Sequence, residues 1–598
     1  MTAKRIRFCV FAFLLIFLSL VLFELNQNRA AGPILVTALG GLFVFVYLRF
    51  VQTRPARYRV MAFLAFLALV LVLFFVTYPP VKRVPAVPEK NPALTRIRTV
   101  AQGDVQGVMT ADGLVEVYAG IPYAQPPVGE NRWREPQDPL PWEGVLKADH
   151  FAPMSMQPTH SPVYNSLYRI IGFHDYKISW KDNYRPAVSE DSLYLNIWKP
   201  AGEVEKRPVL VYIHGGSLQT GQPWYEDYAG GGLARQGAVV VNLGYRLGAF
   251  GFTALPELAQ ESPNGTTGNY GLLDQIKALE WIRANISVFG GDPDNITLAG
   301  ESAGSACVSA LCTSPLAAGL FNRVVMESST VAGAEPPHSF RSLSDAFASG
   351  ARLKEKAGAL TTEQLRALPA SALVPFADTE HHITVDGYVL EELPLESYRK
   401  GIHNEQQILH GYNEKESEAF ILFDQANLKN YETKVRGYFK EYADRILELY
   451  PASTDREARE NWAVIFGATF FDYPHFCLNR LAVGNGIPVY EYYFSKDNGR
   501  IGSFHSGEEI YLYSNIPQDS SLFDQRDREL SAQMSTYLLS FMQDGNPNGS
   551  NLPVWEQNLT SYDLLQFGDL TGMTRETKPE LFAILDEMTG WKGAKLAE

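Results

Sequence analysis

The stretch Phe289 to Gly304, FGGDPDNITLAGESAG, limits what this chain can become, because it reads as strand, sharp turn and helix with a serine at the apex. Ile296 to Ala299 is a short apolar strand, and Gly300-Glu301-Ser302-Ala303-Gly304 fits G-x-S-x-G, a nucleophile elbow. A strained turn of this kind holds the hydroxyl clear of the backbone, and its two glycines let strand and helix pass without side-chain clashes. Ser302 is therefore a candidate nucleophile. Five residues alone also describe an ordinary glycine-rich turn, so the surrounding pattern has to agree.

That pattern agrees. From about Arg96 onward short apolar strands alternate with longer amphipathic segments, the signature of a layered α/β domain with a largely parallel sheet. Val105 to Thr110 and Leu114 to Ala119 flank Asp112-Gly113 as an opening hairpin. Strands follow at Tyr194 to Trp198, Val209 to His214 and Ala238 to Leu243. Between Asn269 and Phe289, Leu272, Ile276, Leu279, Ile282, Ile286 and Phe289 recur at steps of three and four, the face of a core-packed helix. Strands at Arg323 to Met326, Gln407 to His410 and Val489 to Phe494 complete a sheet of about eight, closed by a helix from about Arg526 to Phe541. In such sheets reactive groups gather where strands end.

A serine hydroxyl is a weak nucleophile at neutral pH, so a base must take its proton and a carboxylate must hold that base in the right tautomer. The chain order on an elbow fold is Ser, acid, His. His505, in RIGSFHSGEEI just after the strand Val489 to Phe494, is the candidate base. His475, inside FFDYPHF, reads as a packed neighbour of aromatics, and His381 and His382 as loop residues without companions for a metal. The loop after Gln407 to His410 offers Glu414, Glu416 and Glu418 in GYNEKESEAF, and spacing does not choose among them. A tetrahedral intermediate also needs backbone donors. One is expected from Ala303, and others from the loop holding His214-Gly215-Gly216-Ser217.

The 598 residues exceed one ordinary domain, and the excess lies at the start. Phe8 to Leu25, Pro33 to Leu48 and Val60 to Tyr78 are apolar runs approaching the roughly 20 residues that cross a bilayer, the middle one short. No small-residue cleavage site follows the first, and two more runs follow it, so three membrane helices are predicted rather than a signal peptide. Lys4, Arg5, Arg7, Arg49, Arg54, Arg57 and Arg59 flank the first and third runs, against Arg29 alone between the first and second. This places the N-terminus in the cytoplasm and everything after Tyr78 on the opposite face, with Lys82 and Arg83 pulling weakly the other way. The predicted organisation is a membrane anchor over residues 1–78, a Pro-rich extended linker over 79–95 and a globular domain over 96–598. A net charge of −14 without a long basic run argues against nucleic acid as a partner. Cys9, Cys307, Cys312 and Cys477 form no legible framework of disulfides or zinc ligands.

From about Val105 to about Gln566 the chain resembles the type-B carboxylesterase family, α/β-hydrolases that include the cholinesterases. FGGDPDNITLAGESAG resembles the family's elbow signature throughout, and EDSLYLNIWKP, Glu190 to Pro200, resembles its second signature apart from one position. VYIHGGS, LGYRLGAFGF, GNYGLLDQIKALEWI and GYNEKES resemble further family blocks. The resemblance implies an α/β-hydrolase fold, a nucleophile at Ser302, an acid at Glu416 and a base at His505. It implies oxyanion donors at Gly216, Ser217 and Ala303, and no cofactor or metal. It also implies two structural ion pairs, Arg132 with Glu190 and Arg246 with Asp274.

The chain departs from the family at three places. Ser192, and Ser155 in FAPMSMQ, stand where the family often has a cysteine pair, so the loop between them is expected to be held by packing alone. Ser217 replaces the more usual Gly or Ala. Trp180 lies where cholinesterases place a cation-binding tryptophan, but its spacing to Ser192 does not match, and choline ester specificity is not implied. The expected function is hydrolysis of a small-molecule carboxylic ester. The rival from another class is a cholinesterase-like adhesion or binding domain, as in relatives that lack a working triad.

Overall fold

The computed structural model describes residues 3–26, 28–158, 185–203, 205–330, 340–376, 382–422, 424–499, 502–549, 551–559 and 562–591. The chain divides into two units, one of residues 1–83 with 159–187, the other of residues 84–158 with 188–598.

In the first unit the apolar runs form helices α1 (Ala3–Leu25), α2 (Ala31–Val46) and α3 (Ala56–Val76). The middle helix does not stop where its apolar run does. A π-helical turn, Tyr47–Val51, carries it on, so that three apolar helical stretches of 21 residues each result. Arg49 is tolerated in the extension because its guanidinium folds over the Phe50 ring, 5.4 Å from the centroid. At about 1.5 Å per residue each stretch is long enough for a hydrocarbon layer of about 30 Å. Phe43 stacks on Phe66 at 4.6 Å and meets Phe63 edge-on at 5.1 Å, while Phe8 stacks on Tyr47 at 3.9 Å. One end of the bundle is tied by uncharged polar groups. The Asn28 amide donates to Thr77 Oγ1 (2.8 Å) and to the Phe74 carbonyl (2.7 Å), and Arg29 N–H donates to the Thr77 carbonyl.

The second unit is built on an eleven-stranded sheet. Its strands are β1 (Val108–Met109), β2 (Val115–Pro122), β3 (Tyr194–Pro200), β4 (Arg207–Ile213), β5 (Val239–Leu243), β6 (Gly291–Glu301), β7 (Arg323–Glu327), β8 (Gln407–Asn413), β9 (Val489–Phe494), β10 (Asp563–Phe567) and β11 (Thr571–Arg575). They lie in the order β1-β2-β3-β5-β4-β6-β7-β8-β9-β10-β11. Pairing is parallel from β5 through β10 and antiparallel at both margins. The sheet thus exceeds the expected eight strands. Part of the excess is the terminal hairpin β10–β11, whose second strand is too little buried to leave an apolar signature in the sequence.

Both faces of the parallel strands are covered, which is why they read as continuous apolar runs. Along β4, Val209, Val211 and Ile213 enter one core while Leu210 and Tyr212 enter the other. The first core takes α4 (Tyr270–Asn285) and α5 (Ala303–Thr313), and the second takes α6 (Gln525–Asp544). The Pro-rich stretch is extended at Val81–Lys82, and from Val84 it packs, with Val84, Ala86 and Val87 set among Val108, Phe151 and Trp198. Trp180 lies outside the described residues.

Candidate active site

Ser302 stands between β6 and α5 with φ of 52° and ψ of −122°, a backbone conformation that costs a non-glycine residue on the order of 1–3 kcal/mol. The strain is imposed by close packing on either side. A Cβ on Gly304 would lie 2.0 Å from the Ile213 carbonyl oxygen, and one on Gly300 would lie 2.6 Å from the Gly304 carbonyl carbon, so strand and helix meet at this distance only because both are glycine. Ser302 N–H is anchored on the Glu327 carbonyl at 2.9 Å.

The loops after β8 and β9 bring Glu416 and His505 together. Lys415 N–H donates to the Ser503 carbonyl at 2.9 Å, and Lys415 forms a parallel bridge with Phe504, so the two loops are sewn together beside the acid and the base. His505 Nδ1 lies 2.5 Å from Glu416 Oε2. The other oxygen, Oε1, accepts from Ser328 Oγ (2.6 Å), Asn413 N–H (2.7 Å) and the Asn413 amide (3.2 Å). Glu416 is 1 % exposed, whereas Glu414 and Glu418 are exposed to solvent. Of the three carboxylates in the acidic loop, one turns inward, and it meets four nitrogen or hydroxyl groups.

Residues to which sequence reasoning gave no role complete the surroundings. His505 Nε2 lies 3.1 Å from Glu301 Oε1, which also accepts from Ser506 Oγ at 2.6 Å. Glu508 Oε2 accepts from the Asn413 amide at 2.6 Å, and its Oε1 from Tyr492 OH at 3.1 Å. Glu301 sat in plain view inside the elbow motif and Glu508 three residues beyond His505, but no spacing rule assigns them a partner. Burial opposes a charge on His505, yet the Glu301 and Glu416 carboxylates outweigh it and raise the imidazole pKa to about 9. Burial, with Glu416 and Glu301 close by, pushes the Glu508 carboxyl up to about 8, and burial also raises Glu301. A ring nitrogen and a carboxylate oxygen 3.1 Å apart need a proton between them. The resting site therefore holds one on the Nε2–Glu301 contact.

At the end of β4 the backbone of Gly216, Ser217 and Leu218 runs through three successive positive φ values, 101°, 55° and 60°. Among the described residues, the N–H groups of Gly216, Ser217 and Ala303 enter no hydrogen bond. Free N–H groups beside an elbow are the donors an oxyanion requires.

The remaining sequence candidates fall where their chemistry allows. His475 is wholly buried, with Nδ1 2.7 Å from His410 Nδ1, and burial lowers the pKa of both rings, that of His410 to about 4. His382 immediately precedes the strand Ile383–Val385, and His381 lies outside the described residues. Arg132 pairs with Glu190 at 2.6 Å and Arg246 with Asp274 at 2.6 Å. The loop between Ser155 and Ser192, expected to be held by packing alone, lies outside the described residues over 159–184, and only its two ends are described. Ser155 Oγ donates to the Tyr245 carbonyl at 2.6 Å and lies 3.0 Å from Ser192 Oγ, both residues buried, so a hydroxyl pair bridges the place of the missing cysteines.

Residues 94–582 match the model of the carboxylesterase family. The chain is 32 % identical over 499 residues to a fumonisin B1 esterase of Sphingopyxis macrogoltabida, covering 80 % of this chain and 87 % of that one. It is 30 % identical over 511 residues to a para-nitrobenzyl esterase of Bacillus subtilis (strain 168), covering 81 % and 97 %. A solved carboxylesterase of Geobacillus stearothermophilus superposes with a TM-score of 0.69 at 30 % identity, covering 82 % of this chain and 100 % of its own. The large sheet with helices on both faces is the α/β-hydrolase fold of these esterases.

Proposed function

The chain belongs to the carboxylesterase family, and from that premise we propose that it is a membrane-anchored serine esterase working through an acyl-enzyme. The observation that carries the mechanism is the 2.5 Å contact of His505 Nδ1 with a buried Glu416, beside a serine held in a strained elbow. Once His505 has lost the resting proton and its Nε2 has left Glu301, Ser302 Oγ attacks the ester carbonyl carbon and passes its proton to that nitrogen. Glu416 keeps the Nδ1 proton in place and stabilises the imidazolium that forms. The oxyanion is received by the N–H groups of Gly216, Ser217 and Ala303. Collapse breaks the bond to the alkoxide, which leaves with the proton from Nε2. Water, deprotonated by the same nitrogen, then attacks the acyl-enzyme and releases the carboxylic acid.

Purified full-length protein should hydrolyse p-nitrophenyl acetate and take up a fluorophosphonate at Ser302. Ser302→Ala should lower turnover by about 10⁴ to 10⁶ with the fold intact by circular dichroism. A variant retaining more than a few per cent of the rate would remove Ser302 from the mechanism.

The three apolar helices are proposed to insert in the inner or plasma membrane with the esterase domain on the non-cytoplasmic side. The support is the excess of Lys4, Arg5, Arg7, Arg49, Arg54, Arg57 and Arg59 over Arg29. Fusions ending near Pro92 test it: active alkaline phosphatase and a dark fluorescent protein are expected, and the reverse would put the esterase in the cytoplasm.

A further inference from the structure

Aromatic rings run without a break from the imidazole of His505 to the protein surface. Phe420 and Phe471 pack against that ring at centroid distances of 5.0 and 5.2 Å, and against each other at 5.3 Å. Phe420 meets Phe466 at 6.5 Å, Phe466 meets Phe470 at 4.6 Å, and Phe470 meets Tyr438 at 5.9 Å. Trp462, fully buried, backs the row through Phe466 (6.0 Å) and Tyr438 (5.5 Å). The row ends wet, with Phe420 47 % and Tyr438 51 % exposed.

A local irregularity of the chain builds this arrangement. Helix Asp455–Gly467 gives way to one π-helical turn, Ala468–Asp472, before helix Tyr473–Gly484 resumes. The extra residue in that turn lets the consecutive rings Phe470 and Phe471 serve two different neighbours, Phe470 the outer rings and Phe471 the imidazole. Turns of this kind recur at functional sites. Covering exposed phenyl rings takes apolar surface out of water, so rings left open in continuity with a reactive centre favour an apolar ligand there. Lys434, stacked over Trp462 at 5.4 Å, is neutralised by Asp424 at 2.5 Å, which suits a neutral group rather than an ionic one.

The chemistry decides which half of the ester lies there. His505 Nε2 must hand its proton to the departing alkoxide oxygen, so whatever that oxygen carries lies beside the imidazole and the rings packed on it. We propose that the row from Phe420 to Tyr438 is the alcohol-side binding track, and that the enzyme selects esters of extended, neutral, apolar alcohols over esters of small ones. This rests on the serine-esterase reading above.

The test uses full-length protein in lipid nanodiscs and two substrate series. Ethyl, benzyl and 2-naphthylmethyl acetates vary the alcohol with little change in leaving-group chemistry, and ethyl acetate, ethyl phenylacetate and ethyl 2-naphthylacetate vary the acyl group. Wild-type kcat/KM should climb along the alcohol series. Phe466→Ala and Phe470→Ala should each lower the preference for 2-naphthylmethyl over ethyl acetate by about tenfold, chiefly through KM. Phe466→Leu should give an intermediate loss. Leu570→Ala, at a residue 86 % exposed in the β10–β11 turn, should leave the preference unchanged. Fluorophosphonate labelling to the wild-type extent certifies that a variant is folded. An active, labelled enzyme whose alcohol preference survives Phe466→Ala, or whose acyl preference is the one lost, overturns the track alone. A wild-type protein that is neither labelled nor active overturns the esterase mechanism and the track with it.

Discussion

His505 stands between two regions of opposite character. At its nitrogens are carboxylates, Glu416 on Nδ1 and Glu301 on Nε2, with Glu508 close behind. Against its ring are hydrocarbons, Phe420 and Phe471. The acidic side can change the charge and tautomer of the imidazole but does little to hold its plane, since a hydrogen bond tolerates some rotation. The aromatic side holds the plane and expels water but carries no charge. For the general base proposed at His505, the difference separates two requirements, being in the right protonation state and being in the right place, and assigns them to different residues.

The largest expected effect comes from cutting the acidic side at Glu416. Glu416→Gln should lower kcat by about 10⁴, because an amide that donates to Nδ1 enforces the wrong tautomer. A loss under tenfold would mean that Glu301 alone can orient the ring, and the division above would collapse. Phe471→Ala comes next. Removing a ring packed on the imidazole should lower kcat roughly 10- to 100-fold through misplacement. The pH at which kcat/KM half-rises should move only slightly, and upward, because a less buried imidazole holds its charge more easily while both carboxylates stay in place. A limb moved as far as by removal of a carboxylate would show that the rings govern charge as well.

Glu301→Gln sharpens the comparison from the other side. The base must be neutral to act, and nearby carboxylates, Glu301 first among them, favour the charged imidazole whose pKa lies at about 9. Wild-type kcat/KM should therefore rise with pH toward about 9. The variant's limb should lie at lower pH, raising its rate at pH 7 severalfold relative to its own plateau. An unmoved limb would mean that Glu301 is already neutral in the resting site. The smallest effects belong to Glu414→Gln and Glu418→Gln. These exposed carboxylates act through screened charge worth under about 1 kcal/mol, so kcat/KM should stay within about fivefold of wild type.

How far this site could be read from sequence follows from the reach of each interaction. Ser302 was legible because an elbow is local: strand, turn and helix lie within a few residues, and its glycines mark the close approach. His505 was singled out by its loop after a strand, and Glu416 was chosen from its neighbours only through family resemblance, because the contact between them joins loops 89 residues apart. Nothing in GYNEKESEAF shows which of its glutamates turns inward. That is settled by Ser328 and Asn413, whose donors converge only when β7 and β8 pair. Glu301 and Glu508 were overlooked for the same reason. Apolar periodicity found the parallel strands β4 to β9 and missed β10 and the weakly buried β11. In the anchor, counting apolar residues ended the middle run at Leu48, whereas the helix continues to Val51 by laying Arg49 over a phenyl ring.

The hydroxyl pair at Ser155 and Ser192 bears on the conditions the enzyme can endure. Cys307, Cys312 and Cys477 are buried free thiols, and burial raises the pKa of each, that of Cys307 to about 12, so none offers an accessible thiolate. A bridge of two hydroxyls needs no oxidant to form and offers nothing to a reductant. The esterase domain should mature without disulfide-forming catalysts and be indifferent to dithiothreitol, so that the redox poise of the compartment it reaches sets no limit on its activity.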